Sequence, residues 1–189
     1  MKLSAKTIVQ TGILLAICII SQWIKGVSVY ITGTIVNMTI VLAILLVGAG
    51  SGIILSIIAP ITSFFISPSP ITSGIPAVIP CIMIGNALLA IGIALFQRRV
   101  AAKTMSEEKR VIIGMGVGAI AKAAFMGISI VLILLPMLSS HINVPKKKLD
   151  IILSTAKVTF SVTQLITAVL GCILAYVIWL RIRGSVNKM

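Results

Sequence analysis

Six apolar stretches, at about residues 4–23, 35–47, 53–66, 76–96, 111–135 and 151–180, fill most of the chain and leave short joints between them. Sequence so poor in charge is stable where its side chains meet lipid and its backbone groups bond to one another. A bilayer's hydrocarbon layer is about 30 Å thick, so a helix needs roughly 20 residues to cross it. With 59% hydrophobic and 10% charged residues among 189, the sequence predicts an all-α integral membrane protein. The expectation is a single membrane domain, 1–189, with about six transmembrane helices. The second and third stretches are short and need flanking residues to span. The sixth is longer than a span and is expected to project beyond the membrane or to begin obliquely.

The joints divide the stretches. The start, MKLSAKTIVQTGILLAICII, has the basic head and apolar run of a signal peptide, but no small-x-small site precedes Gln22-Trp23. It is therefore expected to be retained as a first helix, with Trp23 as an interfacial anchor. Gly33 is expected to close the loop after it, and GAGSG (48–52) to form a turn. Pro60 should interrupt the third stretch, and the proline-punctuated run 67–74 cannot continue a helix. Ser106 with Glu107 and Glu108 suits a helix start, and Pro136 should end the fifth stretch.

Charge predicts orientation. With six spans and the N-terminus inside, ten basic residues (Lys2, Lys6, Arg98, Arg99, Lys103, Lys109, Arg110, Arg181, Arg183, Lys188) face inward, against four outside (Lys25, Lys146, Lys147, Lys148). Both termini are thus expected in the cytoplasm. The net charge of +13 points to topology and contact with anionic membrane lipid. No nucleic-acid partner is expected, because the basic residues sit at segment ends without interleaved aromatics. The outer triple lysine reads either as a solvated loop beside lipid phosphates or as an attractor for an anionic solute.

Polar residues inside the apolar stretches carry the functional signal. Lys122 lies deep in GVGAIAKAAFMGISIVLILL, and a lysine at membrane depth is costly. Asp150, Ser154, Lys157, Ser161 and Gln164 recur at helical spacing and predict a polar stripe on one helix face. Lys157 is about seven residues below the boundary, roughly 10 Å, so its stem could also snorkel outward. The acids Glu107, Glu108 and Asp150 lie outside the spans, which leaves the lysines without an internal counter-ion. A carboxylate or phosphate arriving as ligand would supply one, unless a lysine sits deprotonated. Asn86, roughly 15 Å into its span, reads as an interhelical hydrogen bond or a ligand contact, and Asn37 as a weaker candidate.

Small residues and reactive groups complete the inventory. Gly12 and Ala16 form a small-xxx-small pair suited to close helix approach, within the chain or against another subunit. Gly114, Gly118, Ala119, Ala123, Gly127, Gly171 and Ala175 are expected mainly in internal packing. Cys18, Cys81 and Cys172 read as core residues. His141 is the only histidine, and neither a metal set, a cofactor motif, a catalytic triad nor a nucleotide loop occurs, so no enzyme is expected.

The chain resembles the substrate-binding S component of energy-coupling factor (ECF) vitamin transporters. The resemblance rests on KTIVQTGILLAI, on IVNMTIVLAILLVGAGSGIILSIIAPI, on IPAVIPCIMIGNALLAI and on the count of short segments. The family's alanine-xxx-alanine docking motif is matched as Gly12-xxx-Ala16, and its Gly-Pro turn after helix two is replaced by GAGSG. The resemblance implies a docking face on helix one for a membrane coupling subunit joined to two ATPases. It also implies an outward-opening pocket formed by the loop after helix one and helices four to six, mapped here onto Asn86, Lys122, Lys157, Ser161 and Gln164. Import would follow toppling of the whole subunit. The expected substrate is a small anionic vitamin such as pantothenate, folate, biotin, lipoate or nicotinate; low aromatic content argues against a large flat ring. The rival readings are an autonomous transporter or channel and a membrane scaffold.

Overall fold

The computed structural model describes residues 4–98, 105–142 and 144–186. Lys2, Arg99, Lys103 and Lys188, which contribute to the charge asymmetry, lie outside them. Hydroxyl side chains set several helix starts. Helix α1 (Ala5–Gln22) is capped by Ser4, whose Oγ accepts from the Thr7 amide, and α2 (Val29–Leu42) by Ser28 through the Ile31 amide. Helix α3 (Ala49–Ile66) leads to the short α4 (Pro70–Gly74), which opens with a reciprocal cap between Ser69 and Thr72. Helix α5 (Val78–Arg98) is followed by α6 (Glu107–Met126), where Ser106 caps the Lys109 amide and two acids occupy the first turn. A π-helical stretch (Gly127–Leu134) carries α6 into α7 (Leu135–Leu138) and a 3₁₀ turn (Ser139–His141). Helices α8 (Lys146–Phe160) and α9 (Val162–Val186) complete the described chain. Six helical runs among the described residues are long and apolar enough to cross a membrane. The protein is an all-α multi-pass membrane protein.

Several joints differ from expectation. Gly33 lies inside α2, which starts at Val29 because Ser28 supplies a cap. The glycine-rich turn shrinks to Gly48, whose φ of +135° only glycine adopts readily, after a π-helical turn (Ala43–Val47) that extends α2. Pro60 is accommodated inside α3, and Pro136 lies within a helical run that continues to Leu138. The last apolar stretch is not one helix. Ser161 leaves the helical region (φ −115°, ψ −87°), and its hydroxyl donates to the Lys157 carbonyl at 2.5 Å, sealing the end of α8.

The spans alternate in direction, giving the bundle two ends. The loop end carries Lys25, α4 and the start of α8; the basic end carries Lys6, Lys109, Arg110, Arg181 and Arg183. Helix α5 packs most extensively along α6, and α2 along α9. Two apolar cores result. One fills the basic half around Ile40, Leu89, Met115 and Trp179. The other lies under the loop end around Ile75, Met126, Ile130 and Phe160. Arg183 fastens the basic end, pairing with Glu107 at 2.9 Å and lying 5.2 Å from the Trp179 ring centre.

Candidate functional site

Between the two cores, along the chain as well as in space, sits a polar cluster. Lys122 follows Ala119 of one core and precedes Met126 of the other on α6. Its side chain is 2% exposed, so it cannot snorkel to water. Instead, Nζ donates to Asn37 Oδ1 on α2 at 2.5 Å and to Asn86 Oδ1 on α5 at 2.7 Å. Asn37 is itself buried, and its Nδ2 donates to Thr167 Oγ1 on α9 at 3.4 Å. The cluster therefore ties four helices together. Hydrogen bonds to a charged group contribute about 1.5–3 kcal/mol each, which offsets part of the ammonium's desolvation. Two amide dipoles do not neutralise a charge, and an ammonium has three donors.

Glycines bring these helices close enough. A Cβ on Gly171 would lie 2.6 Å from Asn37 Cβ, so α9 meets α2 beside the asparagine. A Cβ on Gly118, one turn before Lys122, would lie 2.7 Å from the Leu89 carbonyl oxygen. Gly85, next to Asn86, faces Met126 and the Lys122 stem.

Lys122, Asn37 and Asn86 line a cavity of about 400 Å³ on the loop side of the cluster. Its walls are mostly apolar, with Pro60, Ile79, Ile82, Ile152 and Phe160 among them. Polar groups enter from α1 and its loop (Gln22, Lys25), from α2 (Thr32), and from α9 (Gln164). Lys25 Nζ donates to Ser63 Oγ at 2.8 Å and to the Ser67 carbonyl at 2.9 Å, fastening the first loop to the end of α3. Partial burial holds the Lys25 ammonium below its ordinary pKa of 10.5. Two lysines border the cavity, and among the described residues no acid does. No group of three or more metal-ligating side chains forms among the described residues. The means of recognition on offer are shape, hydrogen bonding and positive charge.

The structure assembles part of the predicted set. Lys122, Asn86, Asn37 and Gln164 share the cavity, but Lys157 and Ser161 are absent from its lining. The stripe beginning at Asp150 is split by the break at Ser161, and Lys157 is exposed. Helix α8 turns Ile152, Thr155, Ala156 and Thr159 toward the cavity instead, at spacings of one helix face. Lys122 also has internal partners that spacing did not reveal, because α2 starts early and buries Asn37 roughly 12 Å from its beginning. Sequence alone places Gln22 at a helix end and Lys25 as a loop charge, and assigns neither to the site. Their signal was position, in and beside the loop that the resemblance assigns to the pocket.

Gly12 and Ala16 lie on the outward face of α1, exposed with Val9, Ile13 and Ile20, and a Cβ on Gly12 would meet nothing within 4 Å. Gly114, Gly118, Gly171 and Ala175, by contrast, are buried. Gly127 also opens onto empty space.

The family model described as "ECF transporter, substrate-specific component" matches residues 6–183. No curated protein and no solved structure matches the chain.

Proposed function

The chain belongs to the family of ECF transporter substrate-specific components, and from that premise we propose that it binds a small anionic nutrient in the Lys122 cavity. As a family member it is a substrate-binding subunit of a transporter and a multi-pass protein of the cytoplasmic membrane, not an enzyme. The observation that carries the proposal is the charge balance of the cavity: two lysines, and no acid among the described lining residues. A carboxylate or phosphate would accept the remaining Lys122 donor and supply the missing counter-charge. The volume, about 400 Å³, suits a vitamin-sized solute. Gln164 serves as a further polar contact, whereas Lys157 and Ser161, outside the cavity, have no place in this site.

Orientation and energy supply belong to the same proposal. The loop end faces outward, consistent with the basic residues gathered at the other end. The exposed Gly12–Ala16 face receives a membrane coupling subunit, and two cytoplasmic ATPases power import. Lys122→Met tests the site. Removing one member of a buried charged contact costs about 2–5 kcal/mol, so affinity for the anion should fall about 30-fold or more while the variant remains folded. Unchanged affinity would overturn the proposal.

A further inference from the structure

Gln22 ends α1 inside the cavity wall and is fully buried, at 0% exposure. Its Nε2 donates to the Ala59 carbonyl of α3 at 3.0 Å and lies 3.8 Å from Cys18 Sγ. A carbonyl can only accept, so this bond decides which end of the amide is nitrogen. Among the described residues the other end, Oε1, has no hydrogen-bond partner. A buried acceptor left alone is a standing cost, and a methionine would fill similar space without it. The site therefore keeps an acceptor that the protein itself does not use.

We infer that Gln22 Oε1 is a second recognition point, meeting a neutral hydroxyl or amide N–H on the substrate. This rests on the reading of the cavity as the substrate site. The two points belong to different walls: Lys122 is held by α2 and α5, whereas Gln22 is held by α3. A molecule touching both presents an acidic group to one wall and a donor to the other. An acid of similar size without the donor leaves Oε1 unpartnered, and sites of this kind reject such analogues strongly.

The test is mass spectrometry of small molecules released by denaturing the purified full chain, from wild type and Gln22→Met, with thermal unfolding of both. Wild type is expected to release an acid that also carries a hydroxyl or N–H outside its acidic group. Release of an acid without one overturns the subsite and leaves the anion reading standing. Release of a neutral or cationic molecule with such a donor supports the subsite and overturns the anion reading. Gln22→Met should retain at least about tenfold less of the same molecule. Its fold is protected, because Thr62 Oγ1 also donates to the Ala59 carbonyl, at 3.1 Å. Thermal unfolding should therefore differ little between wild type and Gln22→Met, so that a loss of ligand is not a loss of fold. Equal retention by wild type and a folded Gln22→Met overturns the inference.

Discussion

Glycine and lysine each occur here in two opposed settings. At Gly118 and Gly171 the absent side chain lets helix backbones touch around the polar cluster, whereas at Gly12 it faces open space on the outside of α1. Likewise Lys122 is sealed between two cores on amide partners, and Lys157 stands exposed on α8. The same residue types thus build the inner frame in one region and the outer surface in another. What separates them is which way a helix face turns, not composition. The inner set holds the cavity floor in place, and the outer set is free to meet lipid or another subunit.

The sharpest break of this contrast is Gly118→Val. With a Cβ forced to 2.7 Å from the Leu89 carbonyl, α5 and α6 must separate. Overpacking of this kind costs about 1–3 kcal/mol, so thermal unfolding should shift down clearly and substrate binding should be lost. Gly116→Val, on the same helix but with nothing within 4 Å, should stay within about 0.5 kcal/mol of wild type. Similar losses in both would show that helix strain, not contact, governs the frame.

Gly12→Leu probes the outer setting. Its bulk points away from the bundle, so stability and substrate affinity of the purified chain should be unchanged. Uptake in cells carrying the complete transporter should fall about tenfold, as close helix approach is lost. Unchanged uptake would remove this face from the docking proposal.

Lys25→Arg gives a smaller effect with a defined sign. Burial lowers the Lys25 pKa, so the folded chain releases this proton at a pH below 10.5 while the unfolded chain still holds it. The unfolded state then binds more protons, and folding stability rises with pH across that window. Anion affinity moves the other way, because the ammonium is lost. Wild type should therefore lose affinity at lower alkaline pH than Lys25→Arg, with a gap of up to about fivefold in titrated Kd. Coincident profiles would show that Lys25 does not face the anion. Smallest of all, Lys157→Ala should change Kd by less than about twofold, as expected for an exposed charge outside the cavity.

Much of the candidate site is legible in the sequence as chemistry. Lys122 stood out because a charge in the middle of an apolar span needs a partner, and Asn86 because its depth could be counted. Asn37 ranks low from sequence for a local reason: a helix start near residue 35 puts it at a span's edge, whereas the Ser28 cap moves it to mid-helix. Unbroken helical phase would carry Lys157 and Ser161 onto the site, but the Ser161 hydroxyl caps the helix before it and ends that phase. Gln22 beside Trp23 looks like an interfacial end, and nothing local says that Ala59 of another helix will claim its amide.

Membership of the bilayer, the number of spans and the presence of uncompensated positive charge were determined by the sequence alone. Transfer of a side chain into hydrocarbon is close to a property of that residue, and it accumulates along the chain whatever the helices do next. Which polar groups meet was decided only by tertiary structure. A rotation of one residue turns a helical side chain by about 100°, so a cap at Ser28, a break at Ser161 and glycine contacts at residues 118 and 171 select the partners. Those small choices put Asn37 and Asn86 on Lys122, leave Gln22 with an unused acceptor, and send Lys157 outside.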